Sequence, residues 1–175
     1  IFANVKILSF LKKEFNLAAA IHGIDKLDQL VVGKINVLNV WREGVNLEFG
    51  KNDDVVGGYA VKSFIAATNA LKDGFVDVLV TAPINKYNIQ SDDFKFPGHT
   101  DYLNKELTGD ALMLMVHDDL RVGLLTDHVP VNEVAKNLTE RLILRKIQTV
   151  IKTLKQDFEI EKPKIAVLGL NPHSG

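Results

Sequence analysis

The sequence predicts an α/β protein, a mostly parallel sheet covered by helices on both faces in a three-layer α/β/α arrangement. Three observations predict it. Apolar runs of strand length alternate with segments of helical periodicity along the chain. Those runs carry almost no polar residue, as expected of strands buried on both faces. The intervening helices each have one apolar and one charged face, and so belong on the outside of such a sheet.

Residues 5–15 place Ile7, Leu8, Leu11 and Phe15 at helical spacing, and the apolar run 17–21 after them reads as a strand. Residues 35–41 read as another strand, with 45–49 as its partner or an edge. Asp53 or Asp54 caps a helix whose apolar face is Val56, Ala60, Val61, Phe64, Ile65, Thr68 and Leu71, ending near Gly74. Gly57 and Gly58 lie near its start without a GxGxxG or GxxxxGK[ST] setting, so they read as helix-entry geometry and not as a phosphate cradle. The β-branched run 76–82 is of strand length, as are 111–116 and 122–126, with Asp118 and Asp119 suited to a hairpin-like connection between the last two. Thr139 caps the most regular helix, with Leu142, Ile143, Ile147, Val150, Ile151, Leu154 and Phe158 on one face. Pro163 follows it, and residues 164–170 read as a final buried strand. No repeat or linker interrupts the chain, so residues 1–175 read as a single α/β body.

Composition narrows the function. Hydrophobic residues at 46% and charged residues at 25% describe a folded domain and exclude global disorder. The 21 basic and 22 acidic residues leave a net charge of -1, without the basic footprint that nucleic-acid binding requires. The absence of cysteine excludes disulfides, a thiolate nucleophile and Cys-ligated metal, so any metal must use His, Asp, Glu or Asn. No stretch approaches the roughly 18 apolar residues of a membrane span, and the N-terminal residues lack a signal-peptide pattern, so a cytoplasmic address is expected. The chain opens with Ile1 in place of Met and closes at Gly175 inside what reads as a loop, as a fragment would.

In open α/β sheets ligands bind beyond the carboxyl ends of strands. Thr81-Ala82-Pro83-Ile84-Asn85-Lys86, Thr126-Asp127-His128-Val129-Pro130 and Asn171-Pro172-His173-Ser174-Gly175 each follow an apolar run, and Phe96-Pro97-Gly98-His99-Thr100-Asp101 precedes a helix. Three of the five histidines thus fall in Pro-containing loops. A lone histidine there is more often a solvated side chain, but three gathered on one edge make His128 and His173 candidate ligands for zinc, cobalt, nickel or manganese. Lys86 is either a snorkelling surface lysine or a cation that binds phosphate or carboxylate and moves a proton. Asp127 either supports a ligand or caps the helix after Pro130. His22 and His117 read as ordinary loop side chains.

The four segments TAPINK, PGHTDYL, LLTDHVPV and LGLNPHSG, in this order and spacing, resemble the 4-hydroxythreonine-4-phosphate dehydrogenase family of pyridoxal phosphate biosynthesis, from about Val55 onward. The resemblance implies an isocitrate- and isopropylmalate-dehydrogenase-like fold, with this chain the central part of a longer two-domain dehydrogenase. It implies NAD, a divalent metal (zinc, cobalt, magnesium or manganese) and a homodimer with sites at the interface. Carried over by motif, His99 and Thr100 contact substrate, and His128 and His173 are metal ligands. The family's third ligand lies in a YHDQ segment that this sequence lacks, as it lacks the GDP-x-GIG opening and the later Lys, Asn and Arg of the substrate site. Asp127 stands where many relatives carry Thr.

The implied activity is NAD-dependent oxidation and decarboxylation of 4-phosphooxy-L-threonine to 3-amino-2-oxopropyl phosphate. The same motifs would serve a dehydrogenase of phosphorylated threonate; the same fold also supports acyl transfer to phosphate, which needs neither a histidine metal site nor a nicotinamide, and a non-catalytic relative would keep the fold and the dimer interface. In the dehydrogenase readings the partner is a small phosphorylated hydroxy-acid substrate, with no nucleic acid and no membrane.

Overall fold

The computed structural model describes residues 1–173. Their contacts gather into two compact units, Ile1–Thr108 and Gly109–Gly175.

The first unit contains a parallel three-stranded sheet in the order β1 (Phe2–Ala3), β3 (Ile35–Asn39), β2 (Ile21–Ile24). The central strand β3 buries Val37 completely, and Ile24 beside it is almost as deep. Helix α1 (Val5–Glu14) follows β1 directly. Asn4 caps it by accepting from the Lys6 N–H, while its own amide donates to the Trp41 carbonyl at 2.8 Å. Val5 packs over Gly23 of β2, where any side chain on Gly23 would crowd it.

Helix α2 (Asp54–Lys72) has the caps its sequence announces. The Asp53 carboxylate accepts from the Val55 and Val56 N–H groups. At the other end Gly74 adopts φ 73, and the bonds Gly74 N–H to Leu71 O and Phe75 N–H to Ala70 O close a Schellman motif. Ser63 of α2 donates to the Phe2 carbonyl and ties the helix to β1. The rest of this unit is a loop excursion and the short helix α3 (His99–Glu106), packed on α2 through a cluster of Phe64, Ile89, Phe94 and Tyr102.

In the second unit β4 (Leu114–His117) and β5 (Leu120–Gly123) form an antiparallel hairpin, turned at Asp118 with φ 37. A 3-10 turn (Val131–Glu133) leads into the single-turn α4 (Val134–Asn137). Helix α5 (Glu140–Gln156) is capped by Thr139 Oγ1, which accepts from the Leu142 N–H. It lies beside the hairpin: Lys146 Nζ donates to the Ala111 carbonyl at 2.6 Å, and Val150 packs near Gly123. The Arg121 guanidinium sits 4.8 Å from the centre of the Phe158 ring.

Several expectations change. The strand expected at 17–21 is displaced to β2, because Asn16 turns left-handed (φ 49) and the Leu17 N–H still bonds to Lys12 O at the helix end. Pairing with the Ile35 N–H begins only at the Ala20 carbonyl. Residues 45–49 are irregular. Residues 76–82 and 164–170 are not strands, and the second run is exposed where it was expected to be buried. A β-branched run favours extended backbone, but a strand also needs a hydrogen-bonding neighbour, and neither run has one among the described residues. The sheet that forms is parallel and the excursion antiparallel, within the expected class.

Gly57 makes the tightest contact of α2. A Cβ there would lie 1.8 Å from the Asn88 carbonyl oxygen, whereas one at Gly58 would meet nothing within 4 Å. Helix propensity alone favours alanine at both positions by about 1 kcal/mol. In urea unfolding, Gly58→Ala should therefore stabilise the chain by up to that amount, and Gly57→Ala should destabilise it by about 1–3 kcal/mol because backbone must move.

Candidate functional site

The TAPINK segment leaves the run 76–82 and turns at once. Asn85 Oδ1 accepts from the Tyr87 N–H at 2.9 Å and the Asn88 N–H at 3.2 Å, an Asx turn that reverses the chain just past Pro83. Its Nδ2 donates to Asn52 Oδ1 at 2.9 Å, anchoring the turn to the residue before the α2 cap. Ile89 and Phe94 then plunge into the core at 2% and 1% exposure. The chain returns through Phe96 and Pro97 to Gly98, whose extended backbone (φ 177) starts α3 without a side-chain cap.

This excursion brings Lys86 and His99 together. A Cβ on Gly98 would lie 3.6 Å from Lys86 Cε, so the lysine stem passes over the start of α3. His99, the first residue of α3, presses its ring on the Phe64 edge with centroids 4.7 Å apart. Burial, and secondly the Lys86 ammonium, hold the His99 imidazole below the ordinary histidine range, so it is neutral at pH 7. Thr100 follows in the first turn of α3, partly buried. A cation, a neutral imidazole, a hydroxyl-bearing residue and an uncapped helix N-terminus thus share one place, a combination that suits an anion carrying hydrogen-bond acceptors. Gln90 spans the two limbs of the excursion, its Nε2 donating to the Lys86 carbonyl at 3.1 Å and the Phe96 carbonyl at 3.0 Å. Beneath His99, Tyr102 has its phenol pKa raised, first by burial and then by Glu106, with Lys72 opposing.

The second unit carries the other two candidate histidines, His128 and His173. His128 is exposed and left-handed at φ 52, an uncommon backbone for a side chain of its size. His173 is exposed, with its N–H donating to Asn171 Oδ1 at 2.9 Å. Asp127 caps nothing: the 3-10 turn begins after Pro130 without a side-chain cap bond. Among the described residues no group of three or more His, Asp or Glu side chains comes together to hold a metal. His117 pairs with exposed Asp118, at 3.5 Å. His22, expected in a loop, lies in β2 opposite Asn36.

The structure brings together Lys86, His99 and Thr100, which the sequence singled out, and holds them by residues that the sequence did not single out for that role. Asn85 had a readable signal, an Asx position two residues after a proline. Phe64 was readable as a core position of its helix but not as the ring His99 meets, and nothing in the local sequence marks Gln90 as bridging the Lys86 and Phe96 carbonyls.

The family model described as pyridoxal phosphate biosynthetic protein PdxA matches residues 1–175. A 4-hydroxythreonine-4-phosphate dehydrogenase of Bacteroides thetaiotaomicron is 38% identical over 177 residues, covering 100% of this chain and 49% of that protein. One from Sulfurihydrogenibium sp. is 34% identical, covering 99% of this chain and 54% of its own length. The crystal structure of a 4-hydroxythreonine-4-phosphate dehydrogenase from Burkholderia phymatum superimposes with a TM-score of 0.83 at 26% identity, over 98% of this chain and 53% of that one. One from Klebsiella pneumoniae gives 0.83 at 25% identity, with the same coverage. The chain spans about half the length of the curated relatives it matches.

The depressed pKa of His99 has a thermodynamic consequence. Between the unfolded value of about 6.5 and the lower folded value, the unfolded chain binds more protons, so stability falls as pH drops through that window. Urea unfolding from pH 7.5 downward (pH values set by about the histidine range) should show this loss, and His99→Gln should flatten it.

Proposed function

The chain belongs to the PdxA family of pyridoxal phosphate biosynthetic proteins, and from that premise we propose that the whole protein is an NAD- and metal-dependent dehydrogenase of vitamin B6 biosynthesis. Its reaction is the oxidation and decarboxylation of 4-phosphooxy-L-threonine to 3-amino-2-oxopropyl phosphate. The names of the relatives support the substrate class, a phosphorylated hydroxythreonine. The observation that carries the reading for this chain is the convergence of Lys86, His99 and the open start of α3 on one anion-binding place.

In this reading Lys86 supplies the charge that draws in a phosphate or carboxylate, and its ammonium can hand on a proton. Neutral His99 offers a ring N–H or a lone pair to the same group without adding charge of its own. Thr100 and the first-turn N–H groups of α3 complete the cradle.

His128 and His173 are the chain's proposed metal donors, imidazoles being side chains of the right kind for zinc, cobalt or manganese. They are short in number, since a catalytic site generally takes three protein ligands and no three-donor cluster occurs among the described residues. When bound, the ion would polarise the substrate alcohol as a Lewis acid. The whole enzyme is read as a cytoplasmic homodimer.

Supplied with divalent metal, NAD and 4-phosphooxy-threonine, the whole protein should produce NADH and CO2. Turnover with phosphorylated threonate alone would keep the family chemistry and replace the substrate; no reduction of NAD by either would refute the enzymatic reading. His128→Ala and His173→Ala should lose metal and turnover together. His99→Ala should keep its metal and raise KM by about tenfold, the worth of one hydrogen bond to a charged group. The 175-residue chain alone should bind zinc only weakly in a calorimetric titration; tight stoichiometric binding would place the third ligand within it.

A further inference from the structure

We propose that Gln90 is a positioning residue whose side-chain amide ties the two limbs of the 85–98 excursion together and so keeps the Lys86 ammonium beside His99; the proposal rests on the anion-site reading above.

Lys86 and His99 sit on opposite limbs of one excursion, and their juxtaposition depends on how far apart those limbs are. The far end is pinned by buried Ile89 and Phe94 and by the reciprocal bonds between the Ser91 and Phe94 backbones at 3.1 and 3.3 Å. The near end, where the functional side chains are, is closed differently. Pro97 has no N–H to contribute to a ladder. There the Gln90 amide donates one bond to the Lys86 carbonyl and one to the Phe96 carbonyl. A primary amide has two N–H donors on one nitrogen, so both are committed and the two carbonyls are held at a fixed span. Lys86 then has its stem over Gly98 and its charge acting on His99.

Residue chemistry makes the role specific. Methionine matches the length of glutamine but donates nothing. Asparagine keeps the amide, yet is one methylene too short to reach both carbonyls. Gln90 is itself exposed, so its loss should release the limbs without opening the aromatic cluster. What faces His99 is the Phe64 ring from α2 and the Lys86 ammonium from the loop, so the imidazole reports whether the lysine is in place.

The test uses the 175-residue chain with histidine-resolved NMR titration and inorganic phosphate as the anion. Lys86→Met should raise the His99 pKa toward the ordinary histidine value. Gln90→Met and Gln90→Asn should raise it in the same direction while the Phe64 and Tyr102 ring resonances keep their dispersion. The double variant Lys86→Met with Gln90→Met should go no further than Lys86→Met, since one removes what the other positions. Phosphate should bind Gln90→Met about fivefold more weakly than the parent, the loss expected for one displaced interaction. If Lys86→Met raises the His99 pKa and neither Gln90 variant does, the positioning role is overturned and the anion site stands. If Lys86→Met leaves His99 titrating as in the parent, the lysine and histidine are not coupled, and the site reading falls with the proposal.

Discussion

The first unit depends on the packing of Phe64 against Tyr102, the contact by which one long helix captures an irregular loop. The two rings lie 5.0 Å apart, and Phe94 and Phe96 close on Tyr102 at 5.3 and 5.2 Å. Each buried aromatic is worth about 1.5–3 kcal/mol in area alone, and each well-placed ring pair adds ~0.5–1.5. The excursion between the run 76–82 and α3 has no sheet to belong to, so these rings stand in for the ladder it lacks. The near-contact of Gly57 with the Asn88 carbonyl follows from the same capture, because the loop is drawn down until backbone meets backbone. The seat of His99 on the Phe64 edge is a further product of it.

Helices were legible because their evidence is local. Asp53 and Thr139 were readable as caps, and Gly74 as a stop, since each bonds or turns within a few residues of itself. The hairpin at Asp118 and Asp119 was legible for the same reason. Strands 35–39 and 21–24 were found imperfectly, and the runs 76–82 and 164–170 were overread. Periodicity and β-branching say that a segment wants to be extended and covered; they do not say by what. Val80 and Leu168, 89% and 87% exposed, show both halves of that statement, apolar enough for a strand interior and without a neighbour among the described residues.

The site divides along the same line. Lys86, His99 and Thr100 were identifiable from their motifs, but their meeting was not. It needed the Asx turn of Asn85, the buried Ile89 and Phe94, and the Gln90 bridge, and only the first of these is written in adjacent residues. The left-handed backbone of His128 was equally invisible, since nothing in Thr126-Asp127-His128 distinguishes it from an ordinary loop.

The two groups of functional residues therefore differ in what holds them. Lys86 stands on the loop and His99 opens α3, and the two elements share the packed cluster of Phe64, Ile89, Phe94 and Tyr102, so in the proposed anion site their geometry would be set before any ligand arrives and little ordering entropy would remain to oppose binding. His128 and His173 have exposed side chains; the stretch before His173 is exposed too, whereas Leu124, Leu125 and Thr126 before His128 are half-buried. If the pair holds a metal as proposed, the two imidazoles must be ordered as they bind, and that cost would come off the affinity of a donor set short of three among the described residues. In the proposed reading the anion-binding residues are preorganised within this chain, whereas the two proposed metal donors are not brought into a three-donor cluster among the described residues.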